Sequence, residues 1–103
     1  MNAKYMRDRR ARAVEESIAL RADCHTPTPG WRNRTACTPD HPLDWWYESA
    51  LIHHGKALCE ACPVRVACTV TAMRSEATLP VKDIIGLIGI GSMVRRKHRL
   101  VAA

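Results

Sequence analysis

Four of the five cysteines of this chain stand in the pattern Cys37-x21-Cys59-x2-Cys62-x5-Cys68. Cys59 and Cys62 are three apart at the end of an expected helix, so their sulfurs point the same way. Cys68 falls on the inward face of the next expected helix, and Cys37 arrives from a preceding loop. Thiolates converging from separate segments are what a metal ion or an iron–sulfur cluster requires. Tetrahedral zinc on four cysteines is the main competitor, but zinc ribbons use two short knuckles. This chain has one knuckle and two single cysteines, an asymmetry that favours a cluster. A redox dithiol at Cys59-Glu60-Ala61-Cys62 is a third reading, and it lacks the βαβ surroundings such motifs need. Cys62-Pro63 is expected at a helix N-terminus, where the dipole favours an anionic assembly. Cys24 stands outside the pattern and reads as a spare thiol, or as a disulfide partner should a cluster be lost. His53 and His54 could ligate zinc, although paired histidines on a small helix are more often solvated.

The elements that must position these thiols have little apolar material. The chain has 103 residues and no phenylalanine; its aromatic side chains are Trp31, Trp45, Trp46, Tyr5 and Tyr47. A single small domain of this size usually needs a staple. The cysteine count is odd, and the first residues are charged with no apolar run of a secretory signal. The most apolar stretch, 84–90, is too short for a membrane span and holds Gly86 and Gly89. A reducing, cytoplasmic setting is therefore expected, in which clustered cysteines bind metal before they form disulfides. The net charge of +6 is uneven: residues 1–22 carry +3, residues 23–92 carry −1 and residues 93–103 carry +4. A near-neutral middle with basic ends suits nucleic-acid contact.

Residues 3–21 lack Gly and Pro and are rich in Ala, Arg and Glu, which predicts a helix. Its apolar stripe (Met6, Ala13 and Leu20, with Val14 and Ile18 beside them) is weak, so a loosely docked basic helix is expected. Thr26-Pro27-Thr28-Pro29-Gly30 breaks the chain. Asp44 is expected to cap a short turn presenting Trp45 and Trp46, and a helix is expected from about Glu48 to Ala61 despite Gly55. Pro63 suits the first position of a further helix, on which Val64, Ala67, Cys68, Thr71 and Ala72 share one face. Residues 84–91 are β-branched and Gly-spaced, predicting a hairpin-like turn, and a basic tail follows.

Three runs carry a family resemblance: Trp31-Arg32-Asn33-Arg34-Thr35-Ala36-Cys37; Leu43-Asp44-Trp45-Trp46-Tyr47; and the segment from Lys56 through Cys59-Glu60-Ala61-Cys62-Pro63-Val64-Arg65 to Cys68. Together they resemble the WhiB-like transcription factors of actinobacteria and their phages, over residues 31–91. The resemblance implies a [4Fe-4S] cluster on Cys37, Cys59, Cys62 and Cys68, reactive towards oxygen and nitric oxide. It implies docking on the C-terminal region of the primary sigma factor through aromatic side chains, here Trp31, Trp45 and Trp46. It also implies promoter DNA contact by the basic C-terminal segment, here Arg95, Arg96, Lys97 and Arg99. The family's Gly-Val-Trp-Gly-Gly turn has its counterpart in Gly86-Leu87-Ile88-Gly89-Ile90, with Ile88 in place of Trp and Ile90 in place of Gly. Gly86, Ile88 and Gly89 would then join the partner surface. Such a turn survives only if position 90 does not need a positive φ. The aromatic pair is Trp-Trp here where Phe-Phe is usual.

The expectation is an all-α domain of three to four short helices around the cluster, with a Gly-rich turn and basic arms. Residues 1–30 form an N-terminal arm and linker, 31–92 the cluster domain and 93–103 the tail. The function expected is redox- and nitric-oxide-responsive transcription regulation, without enzymatic activity and without a membrane partner. The rivals are a structural zinc-binding interaction module and a disulfide reductase acting in the metal-free form.

Overall fold

An uninterrupted run of helix formers gives α1, Ala3–Ala22, which stops ahead of the two prolines. The computed structural model describes the backbone of residues 3–102 and the side chains of residues 9–101. In α1 the buried residues are Glu15, Ile18, Ala19 and Ala22, spaced i, i+3, i+4 and i+7 along one face. The stripe read from the sequence is corrected: Ala13 and Leu20 are exposed, and the Met6 side chain lies outside the described residues. The second half of α1 is a core element, packed on α4 (Arg65–Ser75) and α5 (Ser92–Ala102). Its small alanines let the helices approach closely, and Ile18 and Ala19 meet Ile90 and Val94 in one apolar cluster.

Between these lie a 3-10 turn at Trp31–Arg34, the short α2, Asp44–Tyr47, and α3, Ile52–Ala61. Asp44 is the first residue of α2 rather than its cap; Leu43 precedes it with no side-chain capping bond. The Glu48 N–H closes α2 onto the Asp44 carbonyl, which is why α3 begins four residues later than expected. Gly55 is buried in α3 because a Cβ there would stand 2.6 Å from the Trp45 carbonyl oxygen. The glycine lets α2 lie directly on α3.

The helix expected from Pro63 begins instead at Arg65, with Val64 in the capping position and Pro63 in the preceding turn. Nearly every side of α4 meets protein: Val64, Ala67, Thr69, Val70 and Ala72 are buried. Thr69, Thr71 and Ser75 donate their hydroxyls to carbonyls one turn back, which satisfies these polar groups locally.

A second 3-10 turn, Val81–Asp83, leads into the Gly-spaced turn, where Ile88 and Ile90 form an isolated antiparallel bridge. Positive φ falls on Gly86 (76°) and Gly89 (73°) but on no other residue of this turn. Ile90 therefore sits without backbone strain and is fully buried. Among the described residues the fold is all-α, with five α-helices and no strand. No described helix is long and apolar enough to cross a membrane.

Candidate metal centre

Cys59 sits in the last turn of α3, and Cys62 follows as the residue that ends it, its N–H bonded to the Cys59 carbonyl at 3.1 Å. Cys68 lies one turn into α4, and Cys37 in the loop after the first 3-10 turn. The Thr35 hydroxyl donates to the Cys37 carbonyl at 3.0 Å, which holds that loop. All four cysteines line one cavity of about 210 Å3. Trp46, Tyr47, Leu58, Leu87 and Ile88 complete its mainly apolar wall, and Arg65 and Gly89 border it. A larger cavity of about 260 Å3, between α1, α4 and α5, holds no cysteine.

The thiols influence one another. Cys68 is pushed up to about 11, chiefly by burial and then by neighbouring Cys59, Cys37 and Cys62, while Arg95 opposes. Cys59 is raised too, chiefly by burial, against the pull of the Gly89 amide and the Arg65 guanidinium. Thiols held above their ordinary range, as Cys59 and Cys68 are, give up their protons to a strongly positive group bound among them. The donor set thus fits a thiolate-bound metal group. Among the described residues no three His, Cys, Asp or Glu side chains converge closely enough to hold a single metal ion. All four cysteines nevertheless border the same cavity.

The aromatic residues divide. Trp45 and Trp46 are half-buried and stacked at 6.2 Å. Trp45 also stacks on His41 at 5.3 Å and on His54 at 4.7 Å, a role for these histidines that their spacing did not suggest. Trp46 reaches the cavity, and its carbonyl accepts the Leu87 N–H at 2.8 Å. The Tyr47 ring lies over Gly86, where a Cβ would stand 2.6 Å from it. Trp31 lies apart from the cavity lining, under the Arg32 guanidinium at 4.5 Å.

The expected DNA residues are corrected in one case. Arg95 is buried, 1% exposed, and all five of its N–H donors are used inside the protein. Nε and Nη2 grip both oxygens of Glu76 at 3.0 Å; Nη1 and Nη2 donate to the carbonyls of Ile85, Gly86 and Ile90. It is a clamp on the turn and has no donor left for phosphate. Arg96 donates to the Ile84 carbonyl and Arg99 to that of Glu76, so both are partly committed inward. Lys97 is exposed and pairs with Glu16 at 3.1 Å. Arg65, which sequence reading left without a role, donates to the Gly89 carbonyl at 2.8 Å and faces Glu15 of α1 at 4.0 Å. Its place within Cys-Pro-Val-Arg, three residues after a candidate ligand, was the available signal.

Comparisons with curated proteins and with solved structures each gave no significant match. A scan of protein families matched residues 31–87 to "Transcription factor WhiB", and that segment contains the four cavity cysteines, Trp31, the tryptophan pair and the first half of the clamped turn. More than half of the chain lies within the match, and the chain belongs to the WhiB family of transcription factors.

Proposed function

We propose that this transcription factor holds a [4Fe-4S] cluster on Cys37, Cys59, Cys62 and Cys68 and regulates transcription in response to redox state or nitric oxide. The observation that carries the reading is the meeting of four cysteines, from a loop, two positions at the end of α3 and one in α4, around a single cavity. A space bordered by thiols suits a group several atoms wide better than a lone zinc ion, whose sulfurs must all lie about 2.3 Å from one centre. When bound, such a cluster supplies an oxygen- and nitric-oxide-reactive centre.

The chain's own residues provide the rest. Cys37 ties the loop ahead of α2 to α3 and α4, segments with little apolar surface to hold them together. Trp46 lines the cavity with Ile88 and Gly89, and Trp45 stacks on Trp46 beside it, a partly exposed aromatic surface of the kind that anchors protein partners. The C-terminal region of the primary sigma factor is the proposed partner there, with Trp31 a separate contact. Arg96, Lys97 and Arg99 on α5 are the tail residues proposed to face promoter DNA, without Arg95.

Anaerobic purification tests the reading. A brown protein containing equal iron and acid-labile sulfide is expected, and Cys→Ser at any of positions 37, 59, 62 or 68 should abolish the colour. A colourless protein that binds zinc and is indifferent to air overturns it. So does dithiol turnover that survives Cys37→Ser but not Cys59→Ser.

A further inference from the structure

The cations of α5 are largely spent within the molecule, whereas the described arginines of α1 are exposed. Of the acids of that helix whose side chains are described, Glu15 is buried against Arg65 and the Gly91 N–H, and Glu16 pairs with Lys97. Asp23, just past the helix end, bonds His98 at 2.9 Å through both its oxygens. The arginines behave oppositely. Arg9, Arg10, Arg12 and Arg21 are exposed, and residues 9–14 include no acid and no buried side chain.

At 3.6 residues per turn, positions 9, 10, 13, 17 and 21 fall on the side opposite the buried face of 15, 18, 19 and 22. That outward side carries Arg9, Arg10, Ala13, Ser17, the exposed Leu20 and Arg21: three guanidinium groups along about 18 Å of helix. Arg12 flanks it. The small Ala13 and Ser17 at the centre of that side leave room for a polyanion to approach the helix. Phosphates on duplex DNA follow one another at intervals that several arginines on one rigid helix can meet together.

We infer that the outward face of α1, with Arg9, Arg10 and Arg21, is a contact surface for the phosphodiester backbone of duplex DNA. This rests on the proposal that the protein contacts DNA, and it moves the main electrostatic contact from the C-terminal helix to the N-terminal one. The contact is sequence-independent; it adds affinity and orientation, and base discrimination comes from elsewhere.

The test is fluorescence anisotropy of a short labelled duplex with the full-length protein, over about 50 to 200 mM salt. The triple variant R9A/R10A/R21A should bind several duplex sequences equally weakly, and its log–log salt slope should be shallower by about 2 to 3. R9K/R10K/R21K should restore most of the slope, since a phosphate contact needs charge more than a planar fork. Circular dichroism should show both variants folded. An unchanged slope in the triple alanine variant, with loss in R96A/K97A, overturns the inference and leaves DNA binding standing. No salt-dependent duplex binding by the unaltered protein overturns both. Tighter arginine-dependent binding to phosphatidylserine vesicles than to duplex overturns the assignment of DNA as the partner.

Discussion

Arg95 and Lys97 stand two residues apart in one basic run and do opposite things. Lys97 reaches Glu16 across solvent with its side chain 68% exposed. Such a pair contributes at most about 1 kcal/mol, so Lys97→Ala should leave the thermal midpoint nearly unchanged. Arg95 has no exposed side-chain surface and satisfies Glu76 in a bidentate pair together with three carbonyls. Arg95→Ala would leave Glu76 poorly compensated and three carbonyls without donors. Denaturant melts should show a loss of about 3 to 5 kcal/mol. Arg95→Lys should recover little of it, because an ammonium cannot reproduce the planar fork. Sequence alone gave no means of ranking these two cations. A run of bases on a terminal helix reads as a solvated tail unless the position of its buried partner, here Glu76 nineteen residues upstream, is known. The four cysteines were legible because few residue types can do what a thiolate does. Their number and spacing limited the chemistry before any coordinate was known.

Element boundaries were legible in kind and wrong in detail, for local reasons. Helix α3 starts late because the end of α2 takes Glu48 into its own closing turn, and α4 starts late because Pro63 serves the turn between two cavity cysteines. The buried face of α1 was missed because it is made of two alanines, one isoleucine and a glutamate, a pattern too small and too polar for a hydrophobic periodicity to register. Gly55 shows how packing reverses a propensity. In an exposed helix Gly→Ala gains about 1 kcal/mol, but here the new methyl would press on the Trp45 backbone. Gly55→Ala should therefore destabilise by about 1 to 3 kcal/mol and shift the tryptophan fluorescence, as α2 is pushed off α3. A substitution confined to α3 would then disturb the proposed aromatic surface without touching either tryptophan.

At the level of the whole molecule, the family match and the domain boundary expected near residue 30 describe less than the folded unit. Glu15 reaches both Arg65 and the Gly91 amide, and Ile18 and Ala19 cover Ile90 and Val94. Deleting residues 1–23 should expose that cluster, raise binding of a hydrophobic dye and speed proteolysis near the 84–91 turn. The manner in which that turn is fastened has a broader consequence. Arg65, Arg95 and Arg96 hold it by the carbonyls of Ile84, Ile85, Gly86, Gly89 and Ile90, groups that every amino acid possesses. Its outline is thus insulated from the identity of its projecting side chains, so long as Gly86 and Gly89 keep their backbone freedom. Residues such as Ile88 can be exchanged over evolutionary time, and the molecule's choice of companion retuned, while the underlying frame stays the same.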